Sequence, residues 1–173
     1  MTSLTVTARS AADLAVDVLV LGAFSGDASP VLPSGLSEAA TSYLAGALPT
    51  LGFTGAPDST VVLPAVPGVK APRVVVAGLG AEPAKKKLVD EAALRRAAAT
   101  ATRAVKDAGT VAVAFPGSSA TAVGAVAEGA ALGAYRFTAQ RGTSSAPTVI
   151  ETITVVADRG RDSAVKAAVK RPA

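Results

Sequence analysis

Few side chains in this chain have types and spacings suited to chemistry. The 173 residues contain neither histidine nor cysteine, so a Ser-His-Asp triad, a thiol nucleophile and the usual nitrogen and sulfur ligands of zinc are all missing. Carboxylates remain as candidate ligands of a hard metal ion. Asp13 with Asp17, and Asp158 with Asp162, are pairs at helical spacing that adjoin basic residues or predicted strand starts. We interpret them as caps and surface ion pairs, and predict no catalytic residue and no metal ligand.

A glycine pair at the end of a predicted strand is the candidate for ligand binding. Gly78-Leu79-Gly80 follows a run of valines, and dinucleotide sites begin with such a strand and Gly-x-Gly turn. The position of the third glycine is occupied by Pro83, which has no amide hydrogen to donate where a helix terminus would face a pyrophosphate. The pattern therefore favours a tight structural turn, and a phosphate loop formed by Gly78 and Gly80 is the alternative.

Alternating strand and helix patterns must position these residues. Apolar runs and two-residue alternation predict strands at 4–7, 16–22, 60–63, 73–77, 111–115 and 149–156. Helical spacing predicts helices over 36–48, over 88–108 and around Glu128. We expect Ser34 or Ser37 to cap the first helix and Pro49 to stop it, and Gly109 to end the second as a left-handed cap. Because 60–63 and 73–77 are separated by prolines and a glycine, we expect a hairpin there.

The order of these elements predicts a three-layer α/β fold, with a mixed, mostly parallel sheet flanked by helices. The length predicts a single domain. Half of the residues are hydrophobic but only 3% are aromatic, so the core must be built from alanine, valine and leucine. Leu94, Ala98, Ala101 and Val105 are expected to form the buried stripe of the long helix. The main aromatic packing residues are predicted to be Phe24, Phe53, Phe115 and Phe137.

The net charge of +4 could suit an acidic partner, so its distribution matters. Basic residues concentrate at 85–87 and near the carboxyl end, where aspartates offset part of the charge. Aromatic residues are not interleaved with them, which argues against a stacking platform for single-stranded nucleic acid. A solvated surface is therefore favoured over a nucleic-acid or phosphate footprint. No signal-peptide pattern or membrane-spanning run is present, and a cytoplasmic location is expected.

One run resembles a family motif. Ala127-Glu128-Gly129-Ala130-Ala131-Leu132-Gly133-Ala134-Tyr135-Arg136-Phe137 is similar to the Glu-Gly-x-x-Leu-Gly-x-Tyr-x-Phe helix that closes the amino-terminal domain of the leucyl (cytosol) aminopeptidases, peptidase family M17. The segments 18–22, 74–80 and 94–98 resemble the family in order and spacing, whereas 138–141 depart from it. Because glycine weakens a helix, Gly129 and Gly133 also indicate close backbone approach, and we expect this helix to pack against the sheet.

The resemblance implies a non-catalytic, macro-domain-like amino-terminal domain over 1–158, with 159–173 as the start of a linker helix to an absent catalytic domain. In such a parent, the carboxyl-terminal domain hydrolyses peptides with two divalent metal ions, zinc or manganese, and the enzyme is a homo-hexamer. The Asn-Thr-Asp-Ala-Glu-Gly-Arg-like metal motif of that domain is absent from this sequence. A stand-alone macro-like module for a phosphate-bearing ligand is one alternative function. A DNA-contacting module, as in some bacterial members, is another that the charge distribution favours less.

Overall fold

The computed structural model describes residues 2–26, 36–84, 89–117, 119–135, 149–158 and 160–170. These residues form six strands and four α-helices in a largely alternating order. The strands are β1 (Ser3–Thr7), β2 (Val18–Ser25), β3 (Thr60–Pro64), β4 (Arg73–Ala81), β5 (Thr110–Ala114) and β6 (Thr152–Val156). The helices are α1 (Glu38–Thr50), α2 (Glu91–Ala104), α3 (Ala120–Ala134) and α4 (Ser163–Lys170), and a short 3-10 helix covers Ala11–Asp13.

The strands form one mixed sheet in the order β1-β6-β5-β2-β4-β3. Neighbouring strands are parallel except at one edge, where β3 runs antiparallel to β4. Val62 faces Val75 in that hairpin, so the predicted hairpin and the mostly parallel sheet are both confirmed. Because β6 lies between β1 and β5, the first strand of the chain pairs with the last.

Helices cover both faces of the sheet, which makes three layers. On one face, α2 and α3 pack on alternate residues of the central strands, such as Val20, Val75 and Val113, and α4 packs beside them against α3 and β1. On the other face, α1 packs on the intervening residues, such as Leu21 and Val76. Successive residues of these strands face opposite helical layers. Because both faces are buried, the strands are continuous apolar runs in the sequence. The predicted small-residue core is confirmed, and it includes Phe24, Phe53 and Phe115; Phe137 lies outside the described residues.

The helix boundaries correct two sequence expectations. Ser37 caps α1, as its hydroxyl accepts a hydrogen bond from the amide of Ala40 at 3.2 Å, but Pro49 lies inside the last turn instead of ending the helix before it. Helix α2 begins after its cap Asp90 and ends at Ala104, well before Gly109. Gly109 is not in the left-handed region, so the prediction that it caps this helix was wrong.

The early end of α2 has a physical cause in the residues that follow it. Val105 adopts an extended conformation and is 3% exposed, so its side chain enters the core and completes the predicted buried stripe. The carbonyls of Lys106 and Asp107 accept hydrogen bonds from the Arg73 guanidinium at 2.6 and 2.7 Å. An arginine at the start of β4 therefore satisfies carbonyl groups just beyond the helix.

The predicted close approach at the two motif glycines is confirmed, but their partner is a helix and not the sheet. A Cβ atom on Gly129 would lie 2.9 Å from the Cα atom of Arg95, and one on Gly133 would lie 2.9 Å from the Cα atom of Ala99. Real Cβ atoms do not come this close to backbone, so α3 can rest on α2 only where it lacks side chains. Among the described residues, no helix combines the length and the apolar character needed to cross a membrane.

Candidate functional site

The carboxyl edge of the parallel strands carries the candidate site, because open α/β sheets bind ligands in crevices at that edge. A cleft of about 230 Å³ lies where β1, β5 and β6 end. Its floor includes Leu21, Ala114 and Val156, from three neighbouring strands. The loops that follow the strands form its rim, with Arg9 after β1 and Asp158 after β6.

The charges of this cleft are balanced. Arg9 and Asp158 are both exposed, and one cation opposes one carboxylate in the lining. A phosphate would be attracted to the first and repelled by the second. Gly117, with a φ of 119°, leads into α3, but the cap Ser119 already accepts the amide hydrogen of Ala122 at 3.1 Å. The cleft therefore lacks the concentration of donors and positive charge that characterises a phosphate site.

Gly78 and Gly80 lie near the end of β4, and their amide hydrogens already have partners. The amide of Gly78 donates to the carbonyl of Ser59 at 2.9 Å, and that of Gly80 donates to the carbonyl of Gly55 at 2.9 Å. Gly80 has a φ of 79°, a conformation that favours glycine. A Cβ atom on Gly78 would also collide with the backbone of Ala56. The predicted tight turn was wrong, because β4 continues through both glycines to Ala81, and a phosphate-binding role for Gly78 and Gly80 stays a prediction.

Three of the four paired aspartates have structural partners. Asp13 forms an exposed ion pair with Lys70 at 3.6 Å, and the Asp162 carboxylate accepts a long hydrogen bond of 3.4 Å from the amide of Ala164 at the start of α4. The Asp17 carboxylate accepts hydrogen bonds from the amides of Gly109 and Thr110 at 2.9 and 2.8 Å. Asp13 and Asp162 fit the interpretation as surface pairs and caps, whereas Asp17 does not, because it binds the start of a neighbouring strand.

Among the described residues, Asp17 has a shifted pKa. Hydrogen bonds from the Thr110 amide and then the Thr110 hydroxyl, at 2.8 and 2.9 Å, are the main cause that lowers the pKa of Asp17 below its usual value. Partial burial opposes this shift, and the Gly109 amide and the Arg73 charge add to it. The carboxylate joins the start of β2 to the start of β5, at the end of the sheet opposite the cleft. Its low pKa therefore marks a structural clamp and not a proton-transfer site.

Glu128, the acidic residue of the motif, also has a structural partner. Its Oε2 atom accepts a hydrogen bond from Arg95 Nε at 2.6 Å, which joins α3 to α2 beside the Gly129 contact. Both side chains are about two-fifths exposed, so the pair stabilises the helix contact by about 0.2 to 1 kcal/mol. The motif therefore encodes helix packing, which explains why it is recognisable without any catalytic residue.

The donor side chains of the described chain do not cluster as a metal site requires. In the described ranges, no three carboxylate, imidazole or thiol side chains come together in a group that could hold a metal ion. The Oδ2 atom of Asp17 already accepts three hydrogen bonds from amide and hydroxyl donors, and Asp17 belongs to no such group among the described residues. The described residues do not form the ligand set of a two-metal centre.

The fold and this site define a three-layer α/β domain whose recognisable residues serve packing. The sequence matches the model of the cytosol aminopeptidase family, N-terminal domain, over residues 20–144. The chain belongs to that family, and the resemblance found in the helix motif is confirmed.

The curated relatives are much longer than this chain. A probable cytosol aminopeptidase of Streptomyces griseus is 42% identical over 187 aligned positions, which cover 99% of this chain and 36% of the relative. A protein of the same description from Streptomyces coelicolor is 38% identical, with 99% and 37% coverage. The chain thus spans little more than a third of these two relatives, which therefore carry a further region.

Solved structures share the fold. A mutant of tomato leucine aminopeptidase superposes with a TM-score of 0.70 at 21% identity, covering 98% of this chain and 35% of that one. The bottromycin maturation enzyme BotP, in a complex with Mn, gives a TM-score of 0.60 at 26% identity, covering 90% of this chain and 29% of that one. In both, the likeness involves a minor part of the longer chain.

Sequence reasoning missed the residues that the strand order brings together. Arg9 and Asp158 meet at the cleft because β1 and β6 are neighbours, and no local pattern indicates that pairing. The contact of Asp17 with Gly109 has the same origin, since 92 positions separate them. Only the strand order could have indicated these contacts, because the loops that follow adjacent parallel strands converge.

Proposed function

We propose that this chain is the non-catalytic, amino-terminal accessory domain of a leucyl aminopeptidase. The family match over residues 20–144, together with coverage of only 36% of the S. griseus relative, carries this proposal. The remaining carboxyl-terminal part of the parent would release amino-terminal residues from peptides by hydrolysis at two divalent metal ions. The manganese in the BotP structure supports a metal-dependent parent, and zinc or manganese is proposed for it.

The contribution of this domain is to the shape and assembly of the enzyme. Its buried residues supply a rigid three-layer scaffold, and several of its described acidic residues serve as clamps, caps and ion pairs. The partner is the carboxyl-terminal catalytic domain of the same chain, in a homo-hexameric and cytoplasmic enzyme. The domain would restrict access to the active site or support subunit contacts, while the chemistry occurs elsewhere.

The test compares this chain with the whole reading frame that contains it. Both proteins are purified and assayed for hydrolysis of leucyl p-nitroanilide with added manganese or zinc. We expect turnover by the whole protein, loss of that turnover on metal chelation, and no turnover by the 173-residue chain. Activity of the short chain that survives removal of contaminating peptidases would contradict the proposal, as would an inactive, metal-loaded whole protein.

The phosphate-ligand and DNA functions stay predictions with less support. Among the described basic residues, Arg161, Lys166 and Lys170 are exposed near or on α4, but Asp158 and Asp162 lie close to them in sequence. Titration with ADP-ribose and with duplex DNA at two salt concentrations separates these functions. Saturable ADP-ribose binding would favour the first, and steeply salt-dependent DNA binding would favour the second.

A further inference from the structure

A groove runs between α2 and α4 across the amino-terminal half of α3, and we call it the α2–α4 groove. Thr121, Gly124 and Ala125 of α3 form its floor, and Ala164, Ala167 and Ala168 of α4 form one wall. Helix α2 contributes the other wall through Glu91 and Arg95, and the groove has a volume of about 560 Å³. All of these residues belong to the described part of the chain.

The lining of this groove is unusual for the outer surface of a helical layer. Helix faces that meet water normally carry charged and long polar side chains, whereas this surface presents mainly methyl groups and a glycine. A Cβ atom on Gly124 would lie 3.4 Å from the Cβ atom of Ala168, so α3 and α4 are already in close contact. Their short side chains leave a trough in which the ridge of another helix can pack at a short interaxial distance.

The polar residues of the groove lie along one side of this apolar strip. Arg95 and Glu128 neutralise each other through their 2.6 Å ion pair, so the charge that an apolar occupant would meet there is already compensated. Glu91 is exposed at the same wall. An apolar centre with a polar margin is the usual anatomy of a protein–protein contact.

We propose that the α2–α4 groove receives a helix of the parent's carboxyl-terminal catalytic domain, an inference that rests on the proposed function. The curated relatives extend far beyond the region that this chain covers, and the matched family model is that of an amino-terminal domain. Helix α4, the last described element, itself forms a wall of the groove. A domain tethered beside the groove is present at an effective concentration of about millimolar, so a modest apolar surface suffices for docking.

Thiol reactivity tests this docking, because the chain has no cysteine of its own. Ala167→Cys places a thiol in the groove, and Ala45→Cys places a matched thiol on α1, on the opposite face of the sheet. Both alanines are exposed helix residues. Each variant is prepared in the 173-residue chain and in the whole protein, labelled with iodoacetamide, and read by peptide mass spectrometry.

We expect the thiol of the A167C variant to react roughly tenfold or more slowly in the whole protein, since a covered group reacts only when its cover opens. The thiol of the A45C variant should react at the same rate in both chains and so report the general accessibility of helix surfaces. Equal reactivity of the A167C thiol in the two chains would overturn the docking proposal. If the whole protein then still hydrolyses leucyl p-nitroanilide, the accessory function survives and only the docking surface is wrong.

A second variant covers the case in which A167C fails to fold. Ala164→Cys lies on the same wall of the groove and is also exposed, so the same slowing is expected there. Rapid labelling of both groove thiols in a folded, active whole protein leaves no surface for the proposed helix and refutes it.

Discussion

At the scale of single residues, the Asp17 carboxylate shows how a charge can stabilise the fold without serving catalysis. It accepts the amide hydrogens of Gly109 and Thr110 and the Thr110 hydroxyl. We expect Asp17→Asn to lower the free energy of unfolding at pH 7 by about 1 to 2 kcal/mol, since hydrogen bonds to a charged acceptor are the stronger ones.

The effect of that substitution should depend on pH in a defined direction. The pKa of Asp17 is lowered in the folded chain, so its contribution is fully present above the unfolded value of about 3.9 and disappears as the pH falls through the folded value. Urea denaturation measures the free energy of unfolding. The loss of this free energy caused by Asp17→Asn should therefore be smaller at about pH 3 than at pH 7. Asp13→Asn removes only an exposed pair and should have a small effect at both; a comparable loss would contradict the clamp.

Thr102 is a buried hydroxyl that offers a second test. Its side chain is fully buried on α2, and Oγ1 has no hydrogen-bond partner among the residues that the structure describes. Valine has nearly the same shape and branching, so we expect Thr102→Val to raise stability by about 1 kcal/mol by removing an unpaired polar atom. Thr100→Val, at a half-buried position on the same helix, is the control and should change the melting temperature little. A lower melting temperature for T102V would mean that the hydroxyl has a partner in solution.

At the scale of elements, Gly133 on α3 and Gly46 on α1 allow a packed helix glycine to be compared with an unpacked one. A Cβ atom at Gly133 would collide with the backbone of α2, whereas one at Gly46 on α1 would meet nothing within 4 Å. We expect Gly133→Ala to destabilise the domain by about 1 to 3 kcal/mol through overpacking. Gly46→Ala should instead stabilise it by about 0.5 to 1 kcal/mol.

Thermal unfolding followed by circular dichroism checks this pair of changes. A stable G133A variant would mean that α2 and α3 separate easily, contrary to the contact described. The larger Gly133→Leu change should unfold the domain more readily still, because the added atoms have no space between the helices.

The elements themselves were largely predictable, because burial on both faces leaves a strong apolar signature. Strands at 111–115 and 73–77 were placed within a few residues of β5 and β4, and the stripe through Leu94 and Ala98 was correct. The end of α2 was not predictable from the local pattern, since Val105 turns into the core and Arg73, from another strand, binds the carbonyls that follow. The cleft was likewise hidden, because its residues meet only through the strand order.

At the scale of the whole molecule, the chain by itself should be a monomer or a weak dimer. Hexamer contacts in the parent are expected to come mainly from the catalytic domain. The described exposed aromatic residues, Tyr43 on α1 and Tyr135 at the end of α3, flank opposite faces of the sheet and do not form a joint anchor for a large interface. Light scattering at micromolar concentration tests this expectation, and a stable hexamer of the short chain would show that this domain drives assembly.

The pairing of β1 with β6 has a consequence for how the protein is made on the ribosome. Thr5 meets Thr154 through their hydroxyls at 3.0 Å, across 149 positions of sequence. During synthesis β1 therefore has no partner strand until β6 has been translated, and the open edge of β5 waits equally long for β6. A nascent chain stalled before Thr152 exposes both of these strand edges together, and edges of this kind invite pairing with other chains. Once β6 has formed, it pairs with β1 and with β5 and so covers both strand edges.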